Sequence, residues 1–208
     1  MVAIHNGNPV FKSTEIIEKY GIESDLSFYL DEIQEHNKSV NLVSRETSRA
    51  QLIRIAADCL IPFEFLPSPS GRFIDIGSGA GFPSLVIKMA WPELEAVLVE
   101  RTRKKAVFVR RFSSRMSPAP EIIDTDFAEA RRYLESGSFD LATMKLVRPT
   151  KSLLSGILSL LGSSGRFIYF ADFVESKLLP RGYSTRAFPY YLDDIKQLRT
   201  ITEFHKTV

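Results

Sequence analysis

Residues 73–84 read FIDIGSGAGFPS, an apolar run that carries Asp75, then glycines at alternate positions, Gly77, Gly79 and Gly81. A backbone this bare cannot extend a regular strand or helix without cost, so the segment reads as a strand that runs straight into a loop. Glycine opens backbone angles closed to other residues and lets a ligand approach with no Cβ in the way. In open α/β sheets, ligands settle at the carboxyl ends of strands, where the strand order reverses. The strand supplies rigidity, and the loop leaves room for something to lie across it.

The rest of the chain fits that placement. From Arg72 onward, short apolar runs alternate with helical stretches. Strands are expected at 72–76, 95–99, 121–123, 139–144 and 166–171, and helices at 83–90, 102–115, 126–135 and 150–161. Strands joined by helices imply a parallel, doubly wound α/β sheet covered on both faces. Two further stretches, about 183–191 and 197–205, flank the turn-like LDDIK and predict an antiparallel closing pair.

Residues 1–66 read as helical. Ser24 is the expected cap of a helix carrying Leu26, Tyr29, Leu30 and Ile33 and ending near His36 and Asn37. A second helix is expected from Thr47 or Ser48, with Gln51 completing a capping box, and stops at Pro62. The loop PSPSG (67–71) then divides an N-terminal helical extension, 1–66, from a ligand-binding domain, 67–208.

Glu100 follows the strand at 95–99, 23 positions after Gly77. A carboxylate about 20 residues beyond a glycine loop, at the tip of the second strand, suits two ribose hydroxyls. The ligand is therefore expected to contain a nucleoside. A dinucleotide fingerprint reads G-x-G-x-x-G, with its third glycine spaced for a pyrophosphate. Here the spacing is G-x-G-x-G, and Asp75 would repel a pyrophosphate while suiting a cationic amino-acid group. D-x-G-x-G-x-G with an acid ending strand two resembles the class I S-adenosylmethionine-dependent methyltransferases.

A closer resemblance covers about residues 25–172. Asn37-Lys38 with Asn41-Leu42, then Leu52 to Asp58, resemble the N-terminal helices of the bacterial ribosomal RNA small-subunit methyltransferase G family (RsmG, GidB). The loop with Phe82-Pro83 and the stretch WPELEAVLVERTRKKAVFVRRF are similar to that family's loop, second strand and basic helix. The resemblance implies a seven-stranded Rossmann-like sheet with an antiparallel C-terminal strand. It also implies S-adenosyl-L-methionine as cofactor and methyl transfer to N7 of a guanine in 16S ribosomal RNA, free or in the 30S subunit. Asp75, Gly77, Gly79, Gly81, Phe82, Glu100, Asp126, Phe127, Ala128 and Lys145 are the expected cofactor contacts. Four positions depart from the family pattern. His36 stands where the family usually has tryptophan, and Ile55 where it usually has histidine. Asp126 replaces an arginine after strand three. Lys145 replaces the arginine closing strand four, unless Arg148 takes its place. Asp126 has two readings of its own, an acceptor for an adenine amino group or the cap of the next helix.

RTRKKAVFVRRFSSR (101–115) holds seven Lys/Arg and no acid. On a helical wheel Phe108, Val109 and Phe112 cluster on one side, while Arg103, Lys104, Arg110, Arg111 and Arg115 fall mostly on the other. Lys105 lands among the apolar residues and would have to snorkel. Charged faces usually mix signs, so this one predicts phosphate contact along an RNA backbone.

Guanine N7 already offers a lone pair, so its methylation needs alignment and exclusion of water, with no proton removed. Lys145 is the candidate catalytic residue, orienting the guanine or a nearby phosphate. Adenine amino-methyltransferases usually show an N-P-P-Y-like turn after strand four, where this chain reads MKLVRPT. Methylation at pyrimidine C5 would want a thiolate. Cys59, the only cysteine, reads as core filler, and it excludes an intrachain disulfide. Three scattered histidines give no metal-ligand spacing, so no metal is expected. No apolar run approaches a membrane span, and MVAIHNGNPVFK has no apolar core typical of a signal peptide. A cytoplasmic monomer is expected. Two other readings stay open: a class I methyltransferase acting on a small molecule or protein, and a cofactor-binding module without catalysis.

Overall fold

The computed structural model describes residues 2–173 and 175–207. Within them, β3 (Arg72–Ile76), β4 (Glu95–Val99), β5 (Glu121–Ile123), β6 (Phe139–Met144) and β7 (Leu161–Tyr169) pair in parallel, in the order β5-β4-β3-β6-β7. The closing hairpin, β8 (Tyr183–Leu192) and β9 (Asp194–Lys206), adds β9 antiparallel to β7 and β8 beyond it. These seven strands are the expected sheet. β7 begins five residues before its expected start, because the bulge between Phe139 and Leu141 lets Leu161 pair with Phe139.

The first residues are not helical. β1 (Ala3–His5) and β2 (Asn8–Phe11) form a hairpin whose second strand lies parallel to β8, extending the sheet to nine strands. Asn6 and Gly7, both at positive φ, make its turn. The NG signal was in the sequence, but the flanking strands, three and four residues long, carry little periodicity.

Alternation along the strands sorts two cores. Phe73, Leu98 and Leu141 face one side, where α1 (Ser13–Lys19), α2 (Glu23–His36), α3 (Arg49–Leu60), α4 (Ser84–Ala90) and α5 (Arg103–Ser113) pack. Ile74, Ile76, Val97 and Met144 face the other, under α6 (Phe127–Ala130) and α7 (Lys151–Leu160). Both faces are covered, so the central strands are mostly apolar on both sides, Asp75 and Thr143 excepted, rather than alternating regularly with polar residues.

Helix ends show which local signals prevailed. Ser48 caps α3 and forms the full capping box with Gln51. Ser24 does not cap α2; the N-cap is Ile22, without a side-chain bond, and the helix opens on Glu23 and Asp25. Acids in the first turn serve the helix dipole there. α6 stops at Ala130, short of the expected 135. Its continuation tightens into i→i−3 bonds, and Arg131 swings over to Ser136, Ser159 and the Leu134 carbonyl.

Candidate functional site

The strand order reverses between β3 and β6, with β4 on the far side of β3. A cavity of about 770 Å³ opens there, within the range of small-molecule sites. Its floor is the glycine loop: Gly77, Ser78, Gly79, Ala80 and Phe82 line it. Gly77 and Gly79 sit at φ 74° and 59°, a region that favours glycine. A Cβ on Gly77 would come within 2.9 Å of Val147 Cγ2.

Glu100 lines the same cavity from the tip of β4 and is 5% exposed. Gly79 N donates to its Oε2 at 2.8 Å, and Thr102 N to its Oε1 at 2.6 Å. Two backbone donors therefore fix the carboxylate, and each oxygen keeps a lone pair for a ligand hydroxyl. Loop and acid form one preorganised unit.

Asp75, Gly81 and Ala128 do not line the cavity. Asp75 is fully buried and accepts from Thr143 Oγ1 at 2.7 Å, tying β3 to β6 beneath the loop. Burial pushes its carboxyl up to about 6, with Glu100 adding to the rise, against the pull of Thr143 and Ser84 toward the charged form. Ser84 lies near enough to exert that pull, yet Asp75 Oδ2 and Ser84 Oγ each lack a partner of hydrogen-bond geometry among the described residues. Gly81, at φ 101°, lies where a Cβ would meet Leu85 and the Tyr29 hydroxyl. Tyr29 Oη donates to the Ala80 carbonyl at 2.6 Å, so the N-terminal helix α2 props the loop from behind. Ala128 is exposed on the outside of α6.

Asp126 and Phe127 line the cavity beside β5. Asp126 caps α6, accepting from Glu129 N at 3.0 Å. It does so while reaching the cavity, so its two readings are compatible.

The opposite wall is built from distant segments. Lys145, at the end of β6, is 10% exposed and pairs with Asp58 of α3. Asp58 also accepts from the Tyr190 hydroxyl of β8 and from Arg199 Nη1 of β9, at 3.1 Å. Burial works to raise the Asp58 carboxyl, but Lys145 and Arg199 outweigh it and hold the group below its usual range. The Lys145 ammonium also lies 4.8 Å from the centre of the Phe170 ring. Ile55, from the same helix as Asp58, lines the cavity and adds an apolar surface beside Lys145. Asp58, Tyr190 and Arg199 were missed as a group. They lie up to 141 residues apart, and nothing local links them. Arg148 lines the mouth, 89% exposed and 3.8 Å from Glu175. Cys59 is fully buried, donates to Ile55 O, and has its thiol pushed up by burial, so it is no nucleophile.

The basic helix divides in two. Arg115 stacks on Phe28 and Phe112 at 4.3 and 4.7 Å, Arg110 reaches the Ile122 carbonyl, and Arg111 lies 3.5 Å from His36 Nε2. Arg103 and Lys104 are exposed at its N-terminal end. Lys105, half-buried as snorkelling requires, lines the cavity. Among the described residues no cluster of His, Cys, Asp or Glu could hold a metal, and no helix is long and apolar enough to cross a membrane.

Comparison with known proteins matches these features to one family. The profile of the family described as rRNA small subunit methyltransferase G matches residues 22–176. The Ribosomal RNA small subunit methyltransferase G of Chloroflexus aggregans is 32% identical over 142 residues, 67% of this chain and 60% of that protein. Its counterpart in Solibacter usitatus is 29% identical over 184 residues, 84% of this chain and 86% of that protein. The chain thus spans less than two thirds of the Chloroflexus relative. A precorrin-6y C5,15-methyltransferase from Geobacter metallireducens superposes with a TM-score of 0.58 at 15% identity, covering 79% of this chain and 93% of that one. A tRNA (m1A58) methyltransferase from Aquifex aeolicus gives 0.53 at 11% identity, over 74% and 69%. At such identities these two likenesses speak for the fold alone. Glycine loop, strand order and sequence profile agree, and the chain belongs to the rRNA small subunit methyltransferase G family.

Proposed function

We propose that this chain is an S-adenosylmethionine-dependent methyltransferase acting on N7 of a guanine in 16S ribosomal RNA, free or in the 30S particle. One observation carries the reading: a preorganised carboxylate and a Cβ-free loop share a single cavity at the strand-order reversal, in a chain of this family. The residues present fit the cofactor. Glu100 keeps lone pairs for two ribose hydroxyls, Gly79 leaves the backbone open, and Asp126 and Phe127 would hold an adenine ring. When bound, S-adenosylmethionine supplies an electrophilic methyl group on a sulfonium.

The chain's own task is then alignment. Guanine N7 needs no base, and among the described residues no carboxylate or histidine lines the cavity at the β6 end. Asp58 keeps Lys145 pointing into this wall, where its ammonium would donate to the guanine O6 or to an adjacent phosphate. Ile55 and the Val147 side chain keep water away from the acceptor. Residues 1–66 would serve as an extension that props the loop and completes the acceptor wall, and 67–208 as the cofactor-binding domain. The protein would work as a cytoplasmic monomer.

Incubation of 30S particles and of naked 16S RNA with methyl-labelled cofactor, followed by nucleoside mass spectrometry, tests the reading. Labelled 7-methylguanosine is expected. Ile55 and Lys145, which differ from the family pattern, favour a different acceptor as the second reading; label on a small molecule or protein alone would support it. Cofactor binding with no transfer would make the chain a silent module.

A further inference from the structure

We infer that the acceptor strand is held by a second groove, between the loop Ser39–Arg45 and the N-terminal end of α5, rather than along the outer face of α5. The inference rests on the RNA methyltransferase reading and specifies where that substrate lies. Two adjoining depressions make the groove. One is lined by Ser39, Val40, Asn41, Arg45, Thr102, Lys104 and Lys105; the other by Asn41 to Arg45 and Lys105. Among the described residues no aspartate or glutamate lines either. Leu42, Val43, Ser44 and Lys105 also line the cofactor cavity, so groove and cavity are continuous.

The loop is rigid. Asn37 Oδ1 accepts from Leu42 N at 2.9 Å and from Val43 N at 3.1 Å, and the Leu42 side chain is buried. Arg45 is steadied by Asn41 Oδ1 at 3.3 Å. Cations on both walls of a channel that leads to the reacting end suit a ribose-phosphate strand with its target base turned inward. The outer arginines are poorer candidates. Arg115 lies over two rings, Arg110 donates to a carbonyl and Arg111 lies beside a histidine, and none of the three borders the cavity where the reacting base must sit. Lys38 is likewise held by Glu35.

The test compares two charge reversals, Arg45→Glu with Lys104→Glu, and Arg110→Glu with Arg111→Glu, with Arg45→Ala/Lys104→Ala as a milder pair. Neither Arg45 nor Lys104 lines the cofactor cavity. Affinity for 16S RNA is measured by fluorescence anisotropy across a salt series, alongside melting temperature and S-adenosylhomocysteine affinity. The groove pair is expected to lose at least ~10-fold in RNA affinity, and the slope of log affinity against log salt to fall by roughly 1.4–1.8. Its melting temperature and S-adenosylhomocysteine affinity stay at wild-type values, and the outer pair loses no more than ~3-fold in RNA affinity. Wild-type RNA affinity in the groove pair, an equal loss in the outer pair, or no RNA binding by the wild-type protein overturns the inference. If the groove pair still binds and methylates RNA as the wild type does, the groove is wrong and the methyltransferase reading stands.

Discussion

The cavity has two walls made in opposite ways, which the proposed function assigns to cofactor and to acceptor. On the cofactor side, Gly77, Gly79 and Glu100 lie within 24 residues of one another and are fixed by backbone donors. On the acceptor side, Lys145 is fixed by a buried carboxylate from a helix about 90 residues earlier, itself held by two strands at the far end of the chain. The first wall depends on local geometry; the second depends on the whole fold being closed. Damage to the acceptor wall should therefore destabilise the protein, and damage to the cofactor wall should chiefly cost ligand.

The largest effect is expected at Asp58→Asn. Removing the charge leaves the nearly buried Lys145 and the half-buried Arg199 without a counter-ion, at about 3–5 kcal/mol. Melting should fall by roughly 10 °C in calorimetry. A shift under ~2 °C would mean that the acceptor wall is no keystone and would erase the contrast.

This difference also explains what could be read in advance. Four of the five parallel strands have the bounds that apolar runs and punctuation predict, and Ser48 with Gln51 marks α3, because those signals act over a few residues. The place of Glu100 at the tip of β4, against the glycine loop, was legible for the same reason. The Asp58 cluster was not, since pairing across 141 residues leaves no spacing to read. The β1–β2 hairpin went unseen because its strands are short and β2 joins the sheet only when β8 is in place. Asp75 was read as a ligand contact from its place beside the loop; burial and Thr143 make it a brace. Lys105 fell on the apolar side of the wheel, and the bend of loop 39–45 over that side turns it into a cavity residue.

Gly81→Ala comes next. A Cβ there would lie 2.6 Å from Leu85 Cδ1 and 2.8 Å from Tyr29 Oη, at a φ of 101°. Strain and crowding together should cost roughly 2–3 kcal/mol. Chemical denaturation should show the loss, and ligand affinity should fall with it, which would sharpen the contrast by showing where the cofactor wall borrows from α2.

Asp75→Asn probes pH. The folded protein holds this proton up to about pH 6, while an unfolded aspartate releases it near ~4. The native state therefore binds more protons across that window, and stability falls as pH rises from about 4 to 6. The asparagine variant should lose this slope, a change of roughly 1–3 kcal/mol in urea midpoints compared across those pH values. An unchanged slope would move Asp75 out of the brace. Tyr29→Phe is the mildest, removing one buried hydrogen bond to Ala80 for about 1 kcal/mol and a few-fold in S-adenosylhomocysteine affinity by calorimetry.

The most direct test of the whole account is titration calorimetry of S-adenosylhomocysteine against the wild-type chain and Glu100→Ala, with NAD alongside. One site is expected in the wild type, at least ~10-fold weaker in the variant, which should melt within a few degrees of the wild type, and no heat from NAD. Equal affinity in both proteins, or binding of NAD instead, would contradict the assignment of the loop and Glu100 to a sulfonium nucleoside.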